Sequence, residues 1–577
     1  MKLIELKSKI RMRIFFSLWI PVFCHTIINS QSILPSVSVT GNLHYTNFDL
    51  DKDGNKYFLF YVEYPDTFWI NDQPRYDLLN LKKYGDFYNN LFLIKCDTKN
   101  NLINLSHIYS NLHSGIIEVD EDQSAYLTVV CNSDTLFFND SMIINRQFKK
   151  SSVLLRLNKN LQLVDYLVFK NATELNSKIR FSNDRMFISG TFVDTFEING
   201  LKLICYPKTS LNINSFVCSL SKNLDSIFYL VNFGGTGYDI ISDIEIDKYN
   251  NLYFCGSATS KYLNIGADSF NRPDDRYSSR YIFGKIDSAG LLDWHYQTGC
   301  SKSETLNDIS FSQNGDLLIL GSFYTTQITI DNQVLYNPYY PKINSFISQW
   351  TRNGDFVNLK HFNQSGPIDI KEVNLDLEQN HWITLSTFDT LIDARGHEYH
   401  IEPYGNFYFC KLDNKFDIIH VNYVTSSDGF GIHGIKFDNQ GHLIAKLWYK
   451  GKYLMYNDSI IIDSIQQISP LGFPTFLLVD FDQLLTNLQE YFNNSKRFLL
   501  YPNPSSGSIH IKASTGNIYF NKIILYNSKG LKLLEKDYGQ NTSECNLEIP
   551  NLGMGIFIVC LFQKGNLITA QKLIINK

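Results

Sequence analysis

Residues 244–256 read IEIDKYNNLYFCG: an apolar strand runs into Asp247, a short polar turn follows, and a second apolar strand leaves from Leu252. Asp, Asn and Gly accept the positive φ angles that a tight β turn demands, so the segment reads as a hairpin. The same phrase returns as FDLDKDGNKYFLF from Phe48, IEVDEDQSAYLTV from Ile117, IRFSNDRMFISG from Ile179, ISFSQNGDLLILG from Ile309, VNLDLEQNHWITL from Val373 and IKFDNQGHLIAKL from Ile435. Its turn openers, Asp51, Asp120, Ser182, Asp247, Ser312, Asp376 and Asp438, are separated by 69, 62, 65, 65, 64 and 62 residues. That near-constant period is an internal repeat.

A second phrase recurs out of phase with the first, an apolar strand closing on Asp or a stand-in. It appears as LFLIKCD to Asp97, SVLLRLN to Asn158, SFVCSLS to Ser221, YIFGKID to Asp287, SFISQWT to Thr351, FYFCKLD to Asp413 and LLVDFD to Asp482. Polar hairpins such as WINDQ, FFNDS, EINGL, TIDNQ and MYNDS stand between the two phrases. Each copy therefore holds at least four short strands and hardly any helical periodicity. A unit of that kind cannot bury both of its faces alone. Face-to-face stacking supplies the missing core and radial closure protects the edges, which predicts an all-β, seven-bladed β-propeller. A linear β-solenoid is the alternative, although its coils are usually shorter than this period.

The DGNxY hairpins followed by SFIxKLD resemble the repeats of bacterial secreted β-propeller proteins over residues 36–492. FGGTGYDIISDIEIDKYNNLYFCGSATS from Phe233 is the nearest in wording, with Gly-Gly ahead of its first strand. FNQSGPID and VTSSDGFGIH keep only a glycine or two.

After a polar linker at 493–498, residues 499–577 carry six or seven strand-like runs, the pattern of a small immunoglobulin-like β-sandwich. Tyr501, Pro502, Asn503, Pro504 and Gly507, then Tyr526 and Gly530, then Leu552 and Gly555, and finally a closing run from Lys572, resemble the C-terminal sorting domain of the type IX secretion system. Phe557 stands where that family often has tyrosine. The resemblance implies a chain from a bacterium of the Bacteroidota, handled by the type IX secretion machinery and sent to the medium or the outer-membrane surface by way of the periplasm. It also implies a sorting domain that is commonly cleaved off on release or surface attachment.

The start of the chain agrees with export. Lys2, Lys7, Lys9, Arg11 and Arg13 precede the apolar run IFFSLWIPVFCHTII at 14–28, the layout of a signal peptide over 1–30 that leaves Gln31 as the new terminus. The apolar run is shorter than the roughly 20 residues a membrane-spanning helix needs, so no transmembrane helix is expected in the mature chain. Phe23 before Cys24 does not suit a lipoprotein signal.

The formal charge of −5 is dispersed, which argues against nucleic-acid binding. Nine cysteines would remain after leader removal, an odd number for an exported protein, and no C-x-x-C pair occurs. Several lie in apolar runs and read as buried thiols.

Candidate chemistry is sparse. Asp51, Asp53 and Asn55 have the oxygen spacing of the start of a calcium loop, yet Val62 stands where the bidentate glutamate would belong, and the same residues suit a plain turn. RGHEYHIE from Arg395 carries His397 and His400, whose spacing puts them on opposite faces of a strand. No nucleophile elbow or phosphate loop is found, and no cofactor is called for. Two functions remain. One is an exported binding or scaffold module whose loops, such as 267–280 and 336–343, meet an extracellular glycan or protein. The other is an extracellular polysaccharide- or peptide-degrading enzyme with its site at the propeller mouth.

Overall fold

The computed structural model describes residues 36–575, apart from segments 77–88, 145–150, 206–211, 272–278, 299–304, 400–405, 464–474 and 481–497 and shorter pieces of one to five residues. The expected leader over 1–30, the terminus at Gln31, Cys300, His400 and the linker at 493–497 lie outside the described residues. Among the described residues every regular element is a strand, and no helix is long and apolar enough to cross a membrane. One compact unit spans Ser36–Val479, and Asp480–Lys577 falls in a second.

The turn at Asp247 shows why the first phrase has its wording. Asp247 N–H donates to Asn251 O and Asn250 N–H returns to Asp247 O, each at 3.0 Å, which closes a three-residue loop with Asn250 at φ 66°. The carboxylate holds that loop: Oδ1 accepts the N–H groups of Tyr249 and Asn251 at 2.9 and 3.0 Å, and Oδ2 accepts Asn251 Nδ2 at 2.9 Å and the Tyr253 hydroxyl at 3.3 Å. Asp51, Asp120, Asp376 and Asp438 open the same loop, with Gly54, Gln123, Gln379 and Gly441 at the left-handed position. The first position thus needs a side-chain acceptor, an acid in these five turns and Ser312 in a sixth, and the fourth needs a residue that accepts positive φ, here Gly, Asn or Gln. Ser182 departs, its N–H donating to Arg185 O in a loop one residue shorter. Asp97, Asn158, Asp287, Thr351 and Asp413 open the same kind of loop at the end of the second phrase.

Each first-phrase hairpin pairs onward with its second-phrase strand and then with the strand that follows, giving a four-stranded antiparallel arrangement. In the fifth copy the order is Thr305–Phe311, Leu317–Phe323, Asn344–Trp350 and Phe356–Phe362. The seventh takes Phe430–Phe437, Leu443–Tyr449 and Thr475–Asp480 and receives its fourth strand, Ser36–Thr40, from the other end of the unit. The leading strands are neighbours in space: Leu43–Leu50 lies against Leu112–Val119, Thr305–Phe311 against Ile368–Leu375, Ile368–Leu375 against Phe430–Phe437, and Phe430–Phe437 against Leu43–Leu50.

The core is a series of inter-sheet layers. Successive residues of one strand serve different layers, because side chains alternate across a strand. Leu127, Val153 and Leu155 pack with the first sheet, whereas their neighbours Tyr126 and Leu154 pack with the third. Further layers join the third sheet to the fourth, the fourth to the fifth and the fifth to the sixth. Burial on both faces explains why Ala125–Cys131 and Leu317–Phe323 are almost uninterrupted apolar runs. Three residues before each turn opener stands a buried apolar side chain, among them Phe48, Ile117, Ile179, Ile244, Ile309 and Val373.

The polar hairpins have a use that the repeat alone does not reveal. Thr135–Ile144 pairs with the outer strand of the first sheet, Arg185–Ile198 with that of the second, Tyr262–Ile265 with that of the third, Tyr453–Tyr456 with that of the sixth, and Phe68–Ile70 with Ser36–Thr40. In these five copies the hairpin thus covers part of the open edge of the preceding sheet, which would otherwise offer unpaired backbone groups to another chain; Gln327–Ile330 with Gln333–Tyr336, and Leu391–Ile392 with Glu398–Tyr399, form two-stranded sheets of their own.

In the second unit Phe498–Tyr501, Ser508–Ala513 and Glu544–Glu548 form one sheet, and Phe520–Asn527, Lys532–Thr542, Gly555–Gln563 and Asn566–Ile575 form another. A single core that includes Phe498, Ile511 and Leu547 from the first and Ile523, Val559 and Leu573 from the second lies between them.

Candidate functional site

Among the described residues the leading strands carry a row of buried and half-buried charges. In six of them the register slips by a bulge, for example between Ile241 and Asp243, between Leu306 and Asp308, and between Ile370 and Glu372. A bulge re-aims the side chains around it. Here it precedes the acids that reach the next sheet. Asp243 Oδ2 accepts Ile309 N–H at 3.4 Å, Asp308 Oδ2 accepts Val373 N–H at 2.8 Å, and Glu372 Oε1 accepts Ile435 N–H at 2.8 Å. In the first copy Asn47 and Asp49 accept Ile117 and Val119 N–H at 3.0 and 2.6 Å. The leading edge of each of these sheets has backbone donors that must find partners, and the preceding sheet supplies the acceptors.

Two residues before the turn opener stand Asp49, Glu118, Arg180, Glu245, Ser310, Asn374 and Lys436. Lys436 Nζ donates to Asp49 Oδ1 at 2.5 Å and to Glu118 Oε2 at 3.1 Å. Arg180 Nε donates to Glu245 Oε2 at 3.0 Å, and Arg180 Nη2 lies 3.8 Å from Asp243 Oδ1. Burial lifts the Glu118 carboxyl to about 7 against the pull of Lys436. Burial also depresses the Lys446 ammonium to about 7, with Glu372 opposing. The set therefore stitches neighbouring sheets, and its oxygens are largely engaged in that task. Aligning the phrases on their turn openers exposes this polar column, a signal that the turn itself overshadowed.

Asp51 is held like Asp247: Oδ1 accepts Asp53 and Asn55 N–H at 3.0 and 2.9 Å, Oδ2 accepts Asn55 Nδ2 at 2.9 Å, and Lys95 Nζ lies 3.3 Å from Oδ2. Asn55 thus turns its amide donor, not its oxygen, toward Asp51. Asp53 accepts the Gln123 side-chain amide. Among the described residues no metal-ligating cluster gathers.

In RGHEYH, the opener Asp393 accepts Arg395 and His397 N–H at 2.9 and 3.0 Å and meets the Arg395 guanidinium at 3.0 Å and His397 Nδ1 at 3.2 Å. Burial works against ionisation, but these donors hold the Asp393 carboxyl well below its ordinary range. His397 does there what Asn55, Asn251 and Asn380 do in their turns, and His442 meets Asp438 in the same way. In 336–343, buried Asn337 donates to Lys342 O at 2.8 Å and accepts Tyr339 N–H at 3.0 Å, which orders a loop whose Tyr336 and Tyr340 are exposed. Of the 267–280 loop, Asp268–Asn271 is a strand and Arg280 is buried, donating to Ser260 O at 3.0 Å. Seven of the eight described cysteines are buried and none is in a disulfide; burial raises the Cys218 and Cys410 thiols.

Of the sorting-motif residues, Tyr501 ends the first strand of the second unit, exposed, with its ring 4.8 Å from that of His510. Tyr526 pairs with Ile558, which pairs with Lys572, so the three stand in one row across the larger sheet. Gly555 pairs with Ile575, and Ser505 bridges to Ile575, which brings the segment after Tyr501, Pro502 and Asn503 to the last strand. Pro504, Gly507, Gly530 and Leu552 lie outside the described residues.

Residues 499–576 match the family described as the secretion system C-terminal sorting domain. No curated protein matches the chain. Among solved structures, a protein of unknown function from Bacteroides caccae aligns at 10% identity and TM-score 0.24, over 63% of this chain and 96% of its own. The extracellular domain of a putative one-component system from B. thetaiotaomicron aligns at 10% identity and TM-score 0.14, over 94% and 97%. Scores this low carry no weight for fold or function.

The sorting domain makes the chain a cargo of the type IX secretion system, bound for the medium or the cell surface.

Proposed function

We propose that this cargo is an exported, non-enzymatic binding or scaffold protein. Its leader is removed on passage to the periplasm, the type IX machinery takes it across the outer membrane through 499–577, and Ser36–Val479 works as a seven-bladed β-propeller that displays loops to an extracellular glycan or protein. In the C-terminal unit, an immunoglobulin-like sandwich, the sorting motif from Tyr501 to Lys572 is the address.

The match of 499–576 carries the export reading. The propeller reading is supported by the adjacency of the leading strands from copy to copy, including the last against the first, and by Ser36–Thr40 supplying the outer strand of the seventh sheet. Against an enzyme at the mouth stands the engagement of Asp49, Asp243, Asp308 and Glu372 by backbone N–H groups of the next sheet. A general acid or base needs an oxygen free to reach substrate.

The test is to fractionate the source bacterium into medium, outer membrane and periplasm and to map the mature termini by mass spectrometry. Termini near Gln31 and within 493–500 on exported protein are expected. Exported protein intact through Lys577 would count against a cleavable address, and export unchanged by deletion of 499–577 would sink the sorting role.

A further inference from the structure

We propose that the column two residues before the turn openers is a pairing code, and that Lys436 is its closing element. It seats the last sheet against the first two sheets of the same chain rather than against a sheet of a second chain. The inference rests on the proposed closure of seven sheets.

Repeat proteins face a matching problem. Any sheet whose faces resemble those of its neighbours can stack on the wrong one, and an unclosed array can recruit another molecule. The apolar positions cannot solve it here. One residue before the opener stand Leu50, Val119, Phe181, Ile246, Phe311, Leu375 and Phe437, and the position three before is equally apolar throughout. Packing of this kind favours stacking without choosing a partner.

The intervening column does differ from copy to copy. It reads acid, acid, cation, acid, Ser, Asn, cation, and each cation lies against acids of other copies. Lys436 of the seventh copy is 387 residues from Asp49 of the first and 318 from Glu118 of the second, yet donates to both. Arg180 of the third meets Glu245 and Asp243 of the fourth. Asp49 and Asp243 are 5% and 2% exposed, so a wrong neighbour would bury like charges together or leave a carboxylate uncompensated. Buried polar groups at single positions of a coiled coil set register and partner in the same way. Ser310 and Asn374, the neutral members, stand in copies whose order the chain already dictates through its connections. The seam between the seventh and first copies is a non-consecutive one, and Lys436 sits there.

The experiment uses the full-length protein and three variants, with molar mass read by size exclusion with light scattering and folding read by circular dichroism. Lys436→Glu should convert a uniform monomer into a mixture that includes dimers and larger species, with a lower melting temperature. The exchange Glu118→Lys with Lys436→Glu, which leaves one cation between two acids and keeps Asp49 as the acceptor of Val119 N–H, should restore both mass and melting. Should neither fold, the neutral triple variant Asp49→Asn, Glu118→Gln, Lys436→Met decides: it should fold and still form mixed oligomers. A strictly monomeric triple variant, or an exchange no better than the single reversal, overturns the code. Closure has its own probe. Val37 and Leu478 are register partners, so Val37→Cys with Leu478→Cys should give a disulfide within one chain in otherwise unaltered protein. Failure of that cross-link tells against the seven-sheet closure itself, whatever the charge variants do.

Discussion

Val39 and Phe476 are register partners in one antiparallel ladder, although nearly the whole first unit separates them in sequence. Val39 also pairs with Ile70 on its other side, so Ser36–Thr40 is an interior strand held by both of its edges. Proline at Val39 removes a ladder donor and restricts the backbone in the middle of that strand. Val39→Pro should lower stability by about 3 kcal/mol or more, measured by urea unfolding. Unchanged unfolding would mean that the strand contributes little to the unit.

The Asp247 carboxylate accepts four donors from Tyr249, Asn251 and Tyr253. Asp247→Ala strands those donors and should cost about 2–3 kcal/mol, whereas Asp247→Asn retains an Oδ1 acceptor and should cost about 1 kcal/mol. Chemical denaturation of the two variants gives the comparison. Equal losses would show that the turn needs the charge, not the acceptor.

Gly235 is the register partner of Leu263 in the hairpin of the fourth copy. A Cβ there would lie 2.0 Å from Tyr262 O, a backbone atom with little room to retreat. Gly235→Ala should destabilise by about 1–3 kcal/mol through overpacking. Gly200, at φ +82°, has no heavy atom within 4 Å of a would-be Cβ, so Gly200→Ala meets only backbone strain and should cost less, about 1 kcal/mol. Thermal melts that rank the two the other way would contradict the crowding argument.

Burial pushes the His361 imidazole from 6.5 down to about 4, and its Nε2 has no hydrogen-bond partner among the described residues. The unfolded chain therefore binds a proton that the folded chain refuses. The stability this histidine contributes is complete above pH 6.5 and drains away as pH falls toward 4. The drop between pH 7 and 5 should be on the order of 1–2 kcal/mol. His361→Phe, which keeps a ring beside Phe323, should flatten the unfolding free energy over that interval relative to the parent. An unaltered pH slope would place the titration elsewhere.

Much of the first unit was legible because its turns are local. The positions of Asp, Gly and Asn in DKDGN or DNQGH obey hydrogen bonds spanning four residues, so the turn is written in a short stretch of sequence. The alternation of side chains along Ala125–Cys131 or Leu317–Phe323 was hidden, since both faces are covered and nearly every position is apolar. The calcium-like spacing at Asp51 was legible as spacing only: whether Asn55 presents oxygen or amide to the carboxylate is decided by the fold of the loop. His397, in the sequence an incidental histidine of a hairpin, is a turn brace in the structure.

By itself the sequence determined the all-β character, the number and period of the hairpins, and a C-terminal segment whose wording and order of motifs match a sorting domain, because these depend on contacts within tens of residues. The tertiary structure alone decided that Ser36–Thr40 completes the seventh sheet, that one copy's polar hairpin covers the preceding sheet's edge, and that Lys436 meets Asp49 and Glu118. Those pairings join residues far apart in the chain, and near-identical apolar faces do not prescribe them. They follow from which backbone donors and buried charges remain unanswered once the local turns have formed.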